Sequence, residues 1–326
     1  IRTTQQRCGV RLSVLRFVSP GITPRNTFLR GRPGSEGDLR EMYECAFRAL
    51  HAVRRLWHIV ELANVPRDDP FHGFLAPAAA DMRNSPGVPG FALIETKGRE
   101  SPFIRMDQPY AEYSRAHGDR GARRRCSQNR ERFSASNQSW GLAAFQSETD
   151  SQIGLDLAFA VRATSWKGPF TQASYPAFYR EITSLLCRDG CARVYTLMLD
   201  STPIAAQYFL CKNGTFHLLT NDYDLRHRES GPGSCLLHLV IERAFQEGWK
   251  VYDFTGESYE YKRSWATGTR QHSTFQLFHS GLKSALIYQG KTRALPMIRR
   301  VLRRSEPSDA MGKASAIFGP EDRAAG

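Results

Sequence analysis

Several features are missing from this chain of 326 residues, and each absence removes a class of function. No run approaches the roughly 18 apolar residues that a membrane-spanning helix needs. The cysteines number 7, an odd count, and none sits in a Cys-x-x-Cys pair. Cys187 and Cys191 fall close together near a predicted helix end, but no His or Cys pair completes a zinc set. Scattered cysteines of odd number read as free thiols of a reducing compartment rather than a disulfide framework. No Lys-Ser/Thr pair follows the Gly231-Pro232-Gly233 turn, so that turn is not a Walker loop, and no Ser-His-Asp or Cys-His order stands out. Short-period repeats are absent as well. The chain opens Ile1-Arg2-Thr3-Thr4 with neither Met nor an apolar leader, so the expected compartment is the cytoplasm, leaving open a start further upstream.

What is present is globular. Hydrophobic residues make up 41% and aromatics 11%, values of a folded protein and not of a disordered or fibrous one. The length suits two domains, each burying its own core. The net charge of +13 is gathered almost entirely into two segments. In the first, Arg115, Arg120, Arg123, Arg124, Arg125, Arg130 and Arg132 are set against only Asp119 and Glu131. In the second, Lys283, Lys291, Arg293, Arg299, Arg300, Arg303 and Arg304 have no acidic residue among them. Charge so localised asks for a local explanation. The first segment suits a solvated helix face, or a polyanion drawn to Arg123, Arg124 and Arg125. In the second, Leu295, Met297, Ile298, Val301 and Leu302 share one helical face while arginines spread over the rest. Such a basic amphipathic helix over 293–304 suits an anionic membrane surface, or docking on the protein's own body with its arginines in water.

The stretch 194–265 organises the chain. Residues 194–199 and 204–210 alternate as strands around a turn at 200–203. Lys212-Asn213-Gly214 is a hairpin signal, because Asn and Gly tolerate positive φ, and 215–220 is the third strand. Arg228-Glu229-Ser230-Gly231-Pro232-Gly233-Ser234 then opens a helix over 235–245, stopped by Gly248, before a strand over 249–254. A glycine pair just ahead of a helix lets the backbone approach closely and aims unpaired N–H groups at one point, where the helix dipole favours negative charge. Gly-Pro-Gly is by itself most often a plain turn. The preceding strand, the following helix and Arg228 make it a candidate phosphate cradle.

Elsewhere the pattern alternates helix and strand. A strand is expected over 10–17, a helix capped by Asp38 and running to Val53, a strand over 57–62 ending before Pro66, and a short helix around 74–82. Strands follow at 91–95 and 101–105, then a polar, arginine-rich helix from Tyr110 to Phe133 weakened by Gly118 and Gly121. Helices at 154–164 and 175–188 precede the central stretch, and a strand at 273–278 closes it. Trp166 reads as core packing in preference to substrate contact. Residues 305–326 read as a disordered tail.

Arg228-x-x-Gly231-x-Gly233 between a strand and a helix resembles the pyrophosphate-binding signature of the GNAT acyl-CoA N-acyltransferase superfamily. Leu199-Asp200-Ser201-Thr202-Pro203-Ile204-Ala205-Ala206, Tyr223-Asp224 ahead of Pro232-Gly233, and Asp253-Phe254 followed by Tyr261-Lys262 resemble its CelD-like branch, named for cellulose biosynthesis and similar to FemAB-type transferases. The resemblance is strong over 160–280 and weaker back to about residue 40. It departs at Gly231, where the pattern has Ser, and at Gly256, one position early. It implies an α/β (α+β) fold of two tandem GNAT-like modules, each a mixed, mostly antiparallel sheet flanked by helices, the N-terminal one incomplete. The implied organisation is a degenerate module over 1–109, a basic connecting helix over 110–135, the acyltransferase module over 136–282, a basic helix over 283–304, and the tail. The implied co-substrate is acetyl-CoA or another acyl-CoA, with no metal, and the implied acceptor is an amine or an amino sugar of an exported polysaccharide. FemAB-type transfer from aminoacyl-tRNA, with the arginine segment on the tRNA, is the alternative. A non-catalytic, membrane-associated accessory of a polysaccharide synthase is a third.

Acyl transfer to an amine needs a seat for the diphosphate, a donor to the thioester carbonyl, a base for the amine and an acid for the thiolate. The seat falls to the N–H groups of Gly231, Gly233 and Ser234, with Arg228 alongside. A backbone N–H near 219–221 suits the carbonyl. The strand ending at Phe254 delivers Glu257 or Asp253 as base, Tyr261 as acid, and Lys262 as a phosphate or acceptor contact.

Overall fold

The computed structural model describes residues 2–7, 10–16, 36–80 and 91–294. Its first half runs β1 (Arg2–Arg7), β2 (Val10–Arg16), α1 (Glu36–Ala52), β3 (Ile59–Pro66), α2 (Pro70–Ala80), β4 (Phe91–Arg105), α3 (Tyr110–Ala116), α4 (Arg120–Ala135) and β5 (Trp140–Phe145). There follow α5 (Ser151–Ala163), α6 (Ser174–Leu186), β6 (Ala192–Leu199), β7 (Thr202–Lys212), β8 (Thr215–Tyr223), α7 (Pro232–Gln246), β9 (Val251–Asp253), α8 (Glu260–Arg263), β10 (Gly268–His279) and α9 (Leu282–Gln289). The fold class is the expected one, mixed α/β on a mixed, mostly antiparallel sheet flanked by helices. The chain forms two compact units, Ile1–Glu100 with Arg270–Gly326, and Ser101–Thr269.

In the first unit β1 pairs antiparallel with β2, β2 parallel with β3, and β3 antiparallel with β10. Tyr43 and Phe47 of α1 and Phe71 and Leu75 of α2 bury against Val60, Leu62, Val65, Phe275 and Leu277. Phe275 and Leu277 therefore belong to this core, although the sequence reading counts them with the C-terminal module. Each fully buried side chain of this kind contributes roughly 1.5–3 kcal/mol. Strand β4 joins the two strands expected at 91–95 and 101–105 into one. Its polar middle stays extended because Gly98 lets it pass close to the neighbouring backbone: a Cβ there would lie 2.9 Å from the His272 carbonyl oxygen. Helix α1 begins at Glu36 and not after Asp38. Asp38 lies in its first turn, where the helix dipole favours an acid.

In the second unit β5, β6, β7 and β8 form an antiparallel run, β8 pairs parallel with β9, and β9 antiparallel with β4. Helix α7 buries Leu236, Leu237, Val240 and Ile241 in one cluster with Leu197, Phe209, Phe216 and Tyr252. Tyr208 points to the opposite face, where its hydroxyl lies 2.8 Å from Thr183 Oγ1 of α6. Helices thus cover both faces of this sheet. The basic segment expected as one helix over 110–135 is two, α3 and α4, broken at Gly118. That glycine has φ +93, and a Cβ on it would come within 2.8 Å of the Trp265 ring. Asp119 restarts the helix by accepting from the Gly121 N–H at 2.7 Å.

Among the described residues, Cys45, Cys126, Cys187, Cys191, Cys211 and Cys235 are free thiols. No helix among them is long and apolar enough to cross a membrane. The basic helix expected over 283–304 is described only as α9 with a wide turn over Gly290–Ala294. Its remainder, the tail and residues 81–82 of the expected short helix lie outside the described residues.

Candidate functional site

The parting of two strands sets the site. Parallel pairing of β8 with β9 covers only Thr215↔Val251, Phe216↔Tyr252 and His217↔Asp253. Strand β9 ends there, whereas β8 continues to Tyr223 beside β7 alone. Tyr208 and Phe209 of β7 pair with Thr220 and Leu218, so Leu219 is an extra residue, a bulge on the free-edged part of β8. A bulge interrupts the ladder and frees backbone groups, at the place expected to polarise a carbonyl.

After β9 the chain makes a tight turn that its own side chains tie down. Asp253 is 0% exposed, and its Oδ1 accepts the Thr255 N–H at 2.9 Å. Thr255 holds a left-handed φ of +48, and its hydroxyl donates to the Leu218 carbonyl of β8. Ser101 donates to the Gly256 carbonyl at 3.0 Å. The carbonyls of Phe254 and Thr255 are thereby aimed at Lys262 Nζ, at 3.2 and 3.0 Å. Burial, helped by the positive charge of Lys167, lowers the Lys262 pKa to about 8, while Glu257 opposes the shift. Glu257 is exposed, and its carboxylate charge acts on the same ammonium.

Tyr261 is 36% exposed. Burial raises its pKa, and a hydrogen bond with the Asn221 side chain pulls part of that back. Asn221 in turn accepts from Gln207 Nε2 at 3.2 Å, and its carbonyl accepts from Lys167 Nζ at 2.8 Å. Lys167 also pairs with buried Asp222 at 2.8 Å, and Arg162 approaches that carboxylate at 3.6 Å. Trp166, expected in the core, is 67% exposed, because its loop turns Lys167 and not the indole toward β8.

The glycine turn stands at the other end of the same strand segment. Gly231 adopts φ 60, ψ 47 and caps α7 with no side-chain bond, and Pro232 takes the first helical position. The Gly231 N–H is taken by the Arg228 carbonyl at 3.0 Å. Helix geometry leaves the N–H groups of Gly233 and Ser234 without intrahelical partners. Ser234 Oγ donates to the Gly231 carbonyl at 2.9 Å. Gly233 rests on Tyr223, since a Cβ there would meet the ring at 3.0 Å. Arg228 is exposed. Arg125 of α4 reaches the same turn: its Nε would lie 3.1 Å from a Gly231 Cβ, and Asn129 Nδ2 donates to the Ser230 carbonyl at 2.7 Å. Of the three arginines expected to draw a polyanion, Arg125 is therefore the one held at the glycine turn.

One line along β8 thus joins the expected residues: Tyr261 to Asn221, then Tyr223 to Gly233. Asp253, expected as an alternative base, lies at the turn as a buried loop cap. Lys167, Gln207, Asn221 and Arg162 were not foreseen, and no local motif marks them. His238 is not drawn into the line. It meets Tyr110 Oη at 3.1 Å through Nδ1, and burial with nearby arginines lowers its pKa to about 4.

Residues 120–263 match the family model described as Acetyltransferase (GNAT) domain. The fold is similar to the crystal structure of FemX, with TM-score 0.52 at 11% identity over 88% of this chain and 85% of that one. Further similarities are to L-PGS from Bacillus licheniformis (TM-score 0.46, 12% identity, 81% of this chain and 78% of that one). A GCN5-related N-acetyltransferase from Kribbella flavida also matches (TM-score 0.26, 22% identity, 35% of this chain and 29% of that one). No curated protein sequence matches this chain. FemX carries the argument here, and it speaks for the fold.

Proposed function

We propose that the chain is an acyl-CoA-dependent N-acyltransferase acting on an amine, with an amino sugar of polysaccharide biosynthesis as the acceptor class that the CelD-like resemblance implies. The carrying observation is that the bulge at Leu219, the Asn221–Tyr261 contact and the Tyr223–Gly233 contact follow one another along a single strand segment. A thioester with a diphosphate at its far end matches that order. The N–H groups of Gly233 and Ser234 receive the diphosphate, with Arg125 and Arg228 beside it. A backbone N–H at the bulge polarises the carbonyl. The amine nitrogen attacks the carbonyl carbon, its proton passes to Glu257, and the C–S bond breaks as Tyr261 protonates the thiolate. The raised pKa of Tyr261 keeps that proton in place at neutral pH. Asp253 holds the turn, and Lys262 makes a phosphate or acceptor contact. No group of His, Cys, Asp and Glu able to hold a metal is found among the described residues. The protein acts in the cytoplasm, with 293–304 as a contact to the inner membrane face.

Calorimetry with acetyl-CoA, paired with thiol release in the presence of amino sugars, tests this reading. Binding and release are expected; silence with every acyl-CoA would end it. The exposed Arg124, Arg130 and Arg132 of α4 favour one second reading, a FemAB-type transferase using aminoacyl-tRNA. Steeply salt-dependent tRNA binding without any acyl-CoA signal would establish that one instead.

A further inference from the structure

Gln207 of β7 has no part in the scheme above, yet it is 0% exposed. Its Nε2 donates to Asn221, but its Oε1 has no hydrogen-bond partner among the described residues. Turning the amide over changes nothing, because one end of the group is always left over. A buried polar atom in that state is a standing cost to the fold, and such atoms are rare where no ligand or water meets them.

Its place on the strand says what would pair with it. Gln207 lies opposite Asn221 in the register of β7 and β8. Asn221 stands midway between the bulge at Leu219 and Tyr223, whose ring carries Gly233. At about 3.3 Å per residue, the Gln207–Asn221 pair sits roughly 6–7 Å from the carbonyl position and as far from the ring that supports the glycine turn. Asn221 and Tyr223 share a face of the sheet, so the pair lies on the side of the sheet that carries Gly233, with Gln207 enclosed by its neighbours.

We propose that Gln207, oriented by Asn221 and Tyr261, is a specificity-determining residue that accepts a hydrogen bond from an amide N–H in the arm joining the thioester of the acyl donor to its diphosphate. The inference rests on the proposed function and narrows it. A coenzyme arm carries amides at that distance. An aminoacyl ester, whose carbonyl is joined directly to a ribose, offers none there.

Calorimetry on the full chain with CoA and with ADP, which has the diphosphate but no arm, tests the assignment in the wild type and in Gln207→Leu. Gln207→Met, unbranched and of equal length, serves if the leucine variant does not fold. The variant is expected to bind CoA threefold to tenfold more weakly, the range for one lost hydrogen bond, and to bind ADP as the wild type does. Unchanged CoA affinity would mean that water alone meets Gln207, and would overturn the inference. So would an equal loss for CoA and ADP, since that marks a structural residue. A wild type that takes neither ligand would instead bring down the acyl-CoA reading itself.

Discussion

Two polar clusters, one in each compact unit, differ in how completely they satisfy themselves. In the first unit Glu95 Oε1 accepts from Ser273 Oγ at 2.5 Å and meets His72 Nε2 at 3.1 Å, while Arg67 Nε reaches Ser273 Oγ at 3.2 Å. His72 presents a single nitrogen to both Ser273 and Glu95, so the cluster lacks the relay geometry of a catalytic triad despite its composition. In the second unit the Gln207–Asn221–Tyr261 chain stops at an unmatched oxygen beside an open strand edge. A closed network holds a fold together, and an unfinished one has room for something else to complete it. The contrast teaches that residue types alone do not separate the two roles.

The comparison breaks most sharply at Glu257. Glu257→Gln is expected to lower kcat by about 10²-fold or more with little change in melting temperature, because it removes a proton acceptor from an exposed position. Steady-state kinetics beside thermal melts check this, and an unchanged kcat would remove Glu257 from the chemistry. The opposite pattern is expected at Glu95→Ala: a loss of about 2 kcal/mol in urea unfolding, since Ser273 is left buried without its acceptor, and unaltered turnover by the folded fraction. Burial pushes the Glu95 pKa up, but hydrogen bonds from Ser273 and His72 outweigh it and leave the value lowered. Its stabilisation is therefore complete above the ordinary carboxylate range and is lost as pH falls through the lowered value. Unfolding measured from neutral to acid pH should show that slope in the wild type and not in Glu95→Ala.

Smaller effects sharpen the picture at the glycine turn and at the lysine. Gly231→Ala must hold φ +60 and press a Cβ to 3.1 Å from Arg125, so a cost of about 1 kcal/mol and weaker CoA binding are expected. Full affinity in that variant would show that the turn does not need its glycine. Lys262 is expected to titrate near its lowered value of about 8 in an NMR experiment on the lysine side chains. It carries its charge below that pH and loses it above. Affinity for CoA should weaken as pH rises through about 8 if Lys262 contacts phosphate, and should stay flat if it contacts only the acceptor.

Much of the fold was legible because its signals are local. Asn213 at φ 49 and Gly214 at φ 74 form the hairpin turn that their identities announce, and Gly248 at φ 74 ends α7 as expected. Strand β3 answers to the strand expected over 57–62, but it starts at Ile59 and runs on through Pro66. Strands β1 and β5 were not foreseen, being short or weakly patterned. The site was legible only as far as sequence neighbours carry it. Glu257, Tyr261 and Lys262 share one turn of chain and were grouped by spacing. Lys167 and Gln207 reach Asn221 through strand pairing and a loop, which no spacing rule encodes. Trp166 misled because large aromatics usually fill cores, whereas here the lysine beside it takes the inward position.

The first unit is interrupted in sequence: Phe275 and Leu277 complete a core begun by Tyr43 and Phe47. On the ribosome, the contiguous segment Ser101–Thr269 has all of its own partners as soon as it emerges, while the N-terminal hundred residues wait for a strand still to be synthesised. Until β10 arrives, the apolar sides of α1 and α2 lack their cover, and it is over that interval of translation that chaperones have the most to protect.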